Sequence, residues 1–321
     1  MMAESDKSSS GSHELSILVS YCQLYQAISS EIHESKSKER ESKQFWEEDE
    51  WSETEKQSAE WMLSSNLGKC TVPTQRRPIY DQIATKSWDK FYNRHGTKFF
   101  HDRHYLANDF PNEFGPINAK QQITLVEIGC GVGNNILPLL EQYPDWKFYA
   151  YDVSAVAIQF LQNDSRCYHQ NQQRIQAGVW DVTISTSDSL PPPVIGKAHI
   201  CTVFFCLSAI SPGEPMKTAV QNIVSTLQSN GGGVIILRDY GRYDESQLKL
   251  GTQRAKRLGE NWFVKADGTR CYYFSLEDLR DLFVGLDVLE LRYICRKYHN
   301  HAKNQNRRRV WVQARFQLST H

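Results

Sequence analysis

The sequence contains no run of eighteen apolar residues, and it therefore predicts no membrane-spanning helix. Its N-terminus lacks an apolar segment behind basic residues and carries Glu4 and Asp6 ahead of any arginine, which argues against a secretory signal and a mitochondrial transit peptide. The eight cysteines form no CxxC pair, so a zinc site is not expected. Several of them lie in apolar runs, which favours reduced, buried thiols. These absences predict a cytoplasmic protein without a metal site.

The sequence also has no net charge, but its charges are unevenly distributed. Residues 1–60 hold 14 acidic and 6 basic side chains, a net charge of −8, which leaves +8 for the rest of the chain. Residues 291–316 contain eight lysines and arginines and no acid. Such a segment is typical of a solvated surface or of a surface that binds a polyanion. Charge alone leaves both interpretations open.

Composition divides the chain into three segments. Residues 1–44 are polar and charged with few groups to bury, which predicts a disordered tail. Residues 45–117 predict a helical N-terminal cap, and residues 118–321 alternate between strand and helix patterns. One aromatic stripe in the cap recurs at helical spacing and consists of Trp88, Phe91 and Tyr92.

An acidic stretch at the start of the cap predicts a helix. Ser52 followed by Glu55 resembles a capping box that opens this helix. We expect the helix to dock on the rest of the protein through its large apolar side chains, which are Trp46, Trp51 and Trp61. Pro73 and Pro78 predict an extended linker over residues 66–80.

The third segment predicts an α/β fold. Apolar strand patterns alternate with helix patterns, and the predicted strands are 123–129, 147–153, 174–182, 197–210 and 234–241. Ser154 is the expected N-cap of the helix after the second strand. This rhythm predicts a Rossmann-like, mostly parallel sheet with helices on both faces. Two further alternating strands, 287–298 and 308–318, predict an antiparallel C-terminal hairpin at the sheet edge.

A glycine-rich turn follows the first of these strands. Gly129, Gly131 and Gly133 stand directly before a helix, a context in which a nucleotide-like ligand passes close to the backbone. Asp152 ends the next strand, where a carboxylate can accept hydrogen bonds from both ribose hydroxyls. NAD and S-adenosylmethionine both fit this pattern. The GxGxG spacing, a second acid (Asp181) at the end of the third strand, and the closing hairpin favour S-adenosylmethionine.

Beyond these patterns, the segment from Trp88 to Phe316 resembles the eukaryotic tRNA 3-methylcytidine methyltransferases, of the seven-β-strand class. The matching stretches are "WDKFYNRHGTKFFHDRHYL", "LVEIGCGVGNNILPLL", "YDVSAVAI", "FFCLSAISP", "VIILRDYGRYD", "LGENWFVKADGTRCYYF" and "RRRVWVQARF". The resemblance implies a Rossmann-like class I methyltransferase with a seven-stranded sheet and S-adenosylmethionine as its cofactor. It implies formation of 3-methylcytidine in tRNA, at position 32 of the anticodon loop.

The resemblance also implies ligand-binding residues. Trp88 and Tyr92 would close over the cofactor, and Phe204 would lie against its adenine. The other implied cofactor-binding residues are Gly129, Gly131, Asp152 and Asp181. The acidic "WEEDEWSETEKQSAEWM" resembles the N-terminal segment of the branch that acts on threonine-type tRNAs. Serine- and arginine-type tRNAs, and an aminoacyl-tRNA synthetase as a protein partner, stay open.

The implied reaction suggests a role for a carboxylate. Cytosine N3 is a neutral lone pair at pH 7, so its methylation depends on positioning and needs no general base. The product base is cationic, and a nearby carboxylate would stabilise the developing charge. Asp239, at the end of a predicted strand, is our catalytic candidate. The alternative is a structural role, in which Asp239 pairs with Arg238 or caps the following turn. Arg238, Tyr240 and Arg270 are candidate substrate contacts.

A target base must be unpaired or flipped out before its N3 is accessible, and such bases are bound by aromatic and cationic side chains. Residues 98–106, "KFFHDRHYL", supply both kinds. Arg103 and His104 are candidate catalytic and substrate-binding residues, and Asp102 is expected to orient Arg103. A structural role, with an Asp102–Arg103 salt bridge, is the alternative. Arg307–Arg309 are weaker candidates for phosphate contacts.

Two other functions are compatible with the fold. The first is a methyltransferase that acts on a small molecule or a protein, and the family-specific stretches with the basic C-terminus argue against it. The second is a non-catalytic RNA-binding protein, and the intact glycine turn with Asp152 and Asp181 argues against that.

Overall fold

The computed structural model describes residues 47–48, 51–115, 118, 121–168, 173–185, 193–229, 232–300 and 305–319. Its strands are β1 (Glu47–Glu48), β2 (Thr124–Ile128), β3 (Lys147–Asp152), β4 (Ile175–Val179), β5 (Ile200–Phe204), β6 (Val234–Tyr240), β7 (Arg257–Gly259), β8 (Trp262–Val264), β9 (Arg270–Tyr272), β10 (Leu286–Asn300) and β11 (Gln305–Leu318). The main sheet has the order β1-β10-β11-β6-β5-β2-β3-β4, and β7-β8-β9 form a small second sheet. Neighbours among β2 to β6 run parallel, whereas β11, β10 and β1 are antiparallel to theirs.

The predicted Rossmann-like sheet with an antiparallel C-terminal hairpin is therefore confirmed. Seven of its strands are the expected ones, and the two-residue β1 adds an eighth along the outer edge of β10. The chain passes from β4, on one side of β2, to β5 on the other side. That reversal opens a crevice at the carboxyl ends of β2 and β5, where open α/β sheets bind ligands.

Helices cover the sheet and form the cap. They span Glu53–Ser65, Leu67–Cys70, Arg77–Gln82, Ala84–His95, Leu106–Asp109, Pro111–Phe114, Ile136–Gln142, Ala155–Gln162, Ser165–Tyr168, Glu214–Ser225, Glu245–Thr252 and Leu276–Leu282, with 3-10 turns at Thr74–Arg76 and Leu207–Ala209. Separate apolar clusters, centred on residues such as Val203 and Ile235 or Leu125 and Trp146, form the core. Because both clusters contain side chains of the central strands, the sheet is buried on both faces.

Local capping signals in the sequence are confirmed. Ser52 and Glu55 form the predicted capping box, and the Ser154 hydroxyl accepts a hydrogen bond from the Ala157 N–H. The Ser154 hydroxyl also donates to Asp89 of the helix Ala84–His95 at 2.6 Å. This N-cap residue therefore links the α/β segment to the helices of the N-terminal cap.

The acidic helix docks differently from the prediction. Trp51 packs on Tyr243, with ring centroids 5.7 Å apart, but Trp61 is 50% exposed, so its predicted role as an anchor is wrong. Ala59 and Leu63, one helical turn apart, are the buried residues of this helix instead. Trp46 and residues 1–44 lie outside the described residues.

Two other predictions are wrong. Residues 66–80 form short helical turns in place of an extended linker, and Thr71 bridges to Arg257. The strand predicted over 197–210 ends at Phe204, because Phe205 adopts a positive φ of 54° and turns the chain into the following 3-10 turn.

No helix in the described part of the chain is long and apolar enough to cross a membrane. Among the same described residues, no group of three or more His, Cys, Asp or Glu side chains is placed to hold a metal ion.

Candidate active site

A cavity lies at the crevice between the carboxyl ends of β2 and β5. The cap contributes its aromatic wall, which consists of Trp88, Phe91, Tyr92, Phe99 and Phe100. The strand ends contribute Phe204, Phe205 and Tyr240. The polar side chains at the cavity include Arg103, Glu127, Asn135, Ser208, Lys265 and Arg270. The predicted cofactor residues Trp88, Tyr92, Gly129, Gly131 and Phe204 all line it.

The glycine turn is the floor of this cavity. Gly129 and Gly131 have φ angles of 73° and 54°, which L-residues with side chains rarely adopt. A Cβ at Gly129 would lie 2.5 Å from the Cys206 Sγ, and a Cβ at Gly131 would lie 2.6 Å from the Tyr92 hydroxyl oxygen. The turn is therefore held between Cys206, two residues beyond β5, and the cap helix Ala84–His95, so glycine is required at both positions.

Asp152 stabilises the glycine turn through hydrogen bonds to backbone N–H groups. Its two carboxylate oxygens accept hydrogen bonds from the Gly131 N–H and the Ser154 N–H, both at 2.9 Å. Burial raises the pKa of this carboxyl, while the backbone N–H groups act in the opposite direction. Asp181 accepts from the N–H and hydroxyl of Thr183 in a tight turn after β4. Neither aspartate belongs to the cavity lining in the described residues, so their contacts with ribose and adenine stay predictions.

Glu127 is a cavity carboxyl that the sequence reasoning missed. Asn135 bridges it to Arg103: the Arg103 Nη1 donates to the Asn135 Oδ1 at 3.1 Å, and the Asn135 Nδ2 donates to the Glu127 Oε1 at 2.8 Å. The Glu127 Oε2 is buried and has no hydrogen-bond partner among the described residues. Burial raises the pKa of Glu127 to about 8, against the lowering effects of Asn135 and Arg103. The available signal was an acid inside the otherwise apolar strand "TLVEI".

Arg103 reaches the cavity, but the expected role of Asp102 is wrong. The Arg103 guanidinium carbon lies 5.7 Å and 5.2 Å from the ring centroids of Phe204 and Phe205. Asp102 is paired with Arg166 at 2.6 Å, so it neither orients Arg103 nor forms a salt bridge with it. His104 is exposed and is not among the described lining residues. The catalytic and substrate roles of Arg103 and His104 stay predictions.

In the "RDYG" stretch, residues 238–241, Tyr240 is the residue found among the described cavity lining. Asp239 is fully buried, and its carboxylate accepts from the N–H groups of Ser208 at 3.0 Å and Tyr240 at 2.8 Å. Burial raises the pKa of Asp239 to about 6. Ser208 and Tyr240 line the cavity, whereas Asp239 does not. Asp239 therefore holds the backbone of two cavity residues in place. Arg238 pairs with Asp109, so an Asp239–Arg238 pair is wrong, whereas the bond to the Tyr240 N–H agrees with a capping role. The catalytic role of Asp239 stays a prediction.

Arg238 lies away from the cavity, contrary to its predicted substrate contact. Its side chain is 1% exposed and pairs with Asp109 at 2.6 Å. Tyr105 and Phe110 of the cap cover the guanidinium, with centroids 5.1 Å and 5.4 Å away. Arg238 of β6 therefore anchors the cap to the sheet.

Arg270 lines the cavity and also ties three segments together. It forms an ion pair with Asp81 and donates to the Ser211 hydroxyl at 2.6 Å. Its guanidinium lies 5.2 Å from the ring centroid of Trp262. These partners give Arg270 a structural role, and its contact with the substrate stays a prediction.

The basic hairpin is largely neutralised by acids of the same chain. Arg307 pairs with Glu245, Arg308 with Glu55, and Arg309 with Asp244, at 2.6, 2.6 and 2.8 Å. Trp51 adds a ring 4.2 Å from the Arg308 guanidinium carbon. One of these pairs, Arg308–Glu55, joins the acidic N-terminal segment to the hairpin, and the other two use acids of the helix Glu245–Thr252 and its N-cap Asp244.

Comparison with known proteins gives consistent results. The methyltransferase domain family matches residues 99–291. The chain is 38% identical to a tRNA N(3)-methylcytidine methyltransferase of Schizosaccharomyces pombe, over 73% of this chain and 92% of that protein. It is 32% identical to the tRNA(Thr) (cytosine(32)-N(3))-methyltransferase of Saccharomyces cerevisiae, over 85% of this chain and 43% of that protein. The crystal structure of a SAM-dependent methyltransferase from Anabaena variabilis shares the fold, with a TM-score of 0.53 and 15% identity, over 73% of this chain and 95% of that one.

Proposed function

The chain belongs to the tRNA N(3)-cytidine methyltransferase family, and from that membership we propose that it methylates N3 of a cytosine in tRNA with S-adenosylmethionine as methyl donor. The observation that carries the proposal is the cavity itself. It joins a glycine turn at the β2–β5 crevice to aromatic and cationic side chains. That combination suits a nucleoside cofactor and an unpaired base of a polyanion.

The described residues fit this cofactor. The glycine turn lies at the sheet position where nucleoside ligands bind, and Trp88 and Tyr92 would cover the ligand from the cap. The buried Glu127 Oε2 would accept from the cofactor's ammonium group once that positive charge has ionised the carboxyl. When bound, S-adenosylmethionine supplies a methyl group on a sulfonium, which a neutral nitrogen lone pair can accept.

The task of the chain is to hold and shield the base. Cytosine N3 needs no deprotonation, so positioning supplies most of the rate. Phe205 and Tyr240 present rings with centroids 5.0 Å apart at the cavity, and such rings stack well on an unpaired base. Asp239 acts by positioning, because its carboxylate fixes the backbone of Ser208 and Tyr240.

The proposed tRNA substrate is inferred from the Saccharomyces cerevisiae relative and from the acidic N-terminal segment. The name of that relative specifies cytosine 32 of tRNA(Thr). We therefore propose cytosine 32 of a threonine-type tRNA as the target, with serine- and arginine-type tRNAs as the alternatives. An aminoacyl-tRNA synthetase partner belongs to the same proposal.

A nucleoside assay tests the function. The full chain is incubated with labelled S-adenosylmethionine and tRNA, and the digested nucleosides are separated. We expect label in 3-methylcytidine with a threonine-type tRNA, and none with a matched tRNA that carries uridine at position 32. Label on the chain itself, or equal labelling of the two tRNAs, would contradict the proposal.

Neutralising the hairpin is expected to affect stability more than tRNA binding. Arg307→Met combined with Arg308→Met removes charges already paired with Glu245 and Glu55. We expect the free energy of unfolding in urea to fall by about 1 kcal/mol or less for each pair, since the pairs are partly exposed. The salt dependence of tRNA affinity should stay as in the wild type. A weaker salt dependence at unchanged stability would instead make the hairpin a phosphate-binding surface.

A further inference from the structure

Lys265 is a cavity cation held on a preformed turn. It follows β8, and its N–H donates to the Thr269 carbonyl at 2.8 Å. Asp267 closes the turn by accepting from the N–H of Thr269 at 2.9 Å and from its hydroxyl at 2.7 Å. Gly268, with a φ of 86°, brings the turn against Ser87 of the cap. The backbone that carries Lys265 is therefore fixed relative to both the cap and the cavity.

The Lys265 ammonium has a ring as its neighbour where other cations of this region have a carboxylate. Its Nζ lies 5.2 Å from the ring centroid of Tyr240. Arg270 and Arg309 each pair with an aspartate, but no described carboxylate lies within ion-pair distance of Lys265. Burial lowers the pKa of Lys265, whereas Tyr240, Cys271 and Asp267 raise it, and the net shift is upward. The cavity thus contains a protonated amine that forms no ion pair with the described residues, while the carboxylates of Asp267 and Asp239 act on it from beyond ion-pair distance.

The chemistry of the reaction limits what this amine can contact. Methylation at N3 turns cytosine into a cation, and a second positive charge close to the ring would oppose that change by Coulomb repulsion. An ammonium against the ring would therefore slow the reaction. A phosphate is the compatible partner, because a base drawn into the cavity brings its own backbone phosphates to the rim. Ala266 and Asp267, next in the turn, are exposed and mark that rim.

We propose that Lys265 binds a backbone phosphate of the nucleotide whose base enters the cavity. This inference rests on the proposed function and adds a substrate-positioning residue to it. Lysine suits the contact because it is a compact charge with three donors and needs no bidentate geometry. Tyr240 keeps the ammonium over the cavity while the phosphate is absent.

The test compares Lys265→Met with Lys265→Arg and with a control, Lys217→Met. Lys217 is an exposed lysine paired with Glu214, away from the described cavity lining. tRNA affinity is measured by fluorescence anisotropy over a series of KCl concentrations, and S-adenosylhomocysteine affinity by calorimetry. For Lys265→Met we expect about tenfold weaker tRNA binding at low salt and a salt slope smaller by about 0.7 to 0.9. Lys265→Arg and Lys217→Met should keep the wild-type slope, and all three variants should bind S-adenosylhomocysteine normally.

Several results would overturn the inference. An unchanged slope with a faster methylation rate in Lys265→Met would place the ammonium against the base, and weaker S-adenosylhomocysteine binding would place it against the cofactor. A misfolded Lys265→Met chain would also lose S-adenosylhomocysteine binding. In that case the salt slopes of Lys265→Arg and Lys265→Gln are compared: a smaller slope for Lys265→Gln supports the phosphate contact, and equal slopes refute it. The proposed function fails separately: if the wild-type chain methylates no tRNA, the function is wrong, whereas an active wild type with an unchanged Lys265→Met slope refutes only the phosphate contact.

Discussion

The Gly129→Ala variant is expected to bind S-adenosylhomocysteine about a hundredfold more weakly than the wild type, which corresponds to about 2.7 kcal/mol. Two costs combine at this position. An L-residue at a φ of 73° is strained by about 1–2 kcal/mol, and the new Cβ would overlap the Cys206 side chain at 2.5 Å. The overlap is relieved only if the turn moves or if Phe205 and Cys206 move, and both segments form the cavity. Calorimetric titration gives the affinity.

Gly196→Ala is a matched control for this variant. Gly196 has a similar φ of 70°, but a Cβ there would meet no atom of the described residues within 4 Å. This control should lose about 1–2 kcal/mol of stability from backbone strain and should keep its affinity for S-adenosylhomocysteine. If Gly129→Ala also kept its affinity, the close approach at the turn would not define the cofactor site.

The parts of the fold that sequence reasoning predicts correctly depend on local signals. Ser52 and Ser154 cap helices because each supplies its own acceptor at the first turn. The strands β2 to β6 follow from apolar runs between helical segments. The three-residue strands β7 to β9 were missed, because runs that short contain no measurable period.

The parts that could not be predicted depend on tertiary contacts. Phe205 ends β5 through a positive φ, which an apolar sequence does not signal. Arg238 is charged and adjacent to Asp239, yet it is buried because Tyr105 and Phe110 of the cap lie over it. Its partner Asp109 is 129 positions away in the chain, so no local sequence pattern predicts the pair. The cytoplasmic location stays a prediction.

Glu127 gives the second large effect, a dependence of stability on pH. Burial raises its pKa from an ordinary value of 4.5 to about 8. Between these values the folded chain binds one more proton than the unfolded chain, so its stability falls as pH rises, by about 1.4 kcal/mol per pH unit. The contribution is fully present below about pH 4.5 and is lost once pH has passed about 8. The charged or titratable groups around Glu127 are Arg103, Cys130, Asp152, Cys201 and Cys206.

Glu127→Gln isolates this contribution, because the neighbouring groups are shared by both chains. The amide keeps the acceptor for Asn135 and cannot ionise, so the Gln variant should lose the slope that Glu127 contributes. We expect the stability difference between variant and wild type to change by about 4 kcal/mol from pH 5 to pH 8, in favour of the variant at the higher pH. Urea unfolding at four pH values measures it, with the exposed Glu141→Gln as a control that follows the wild type. Parallel pH profiles for Glu127→Gln and wild type would mean that Glu127 is already ionised in the folded chain, with a solvent path to its carboxyl that the buried site does not show.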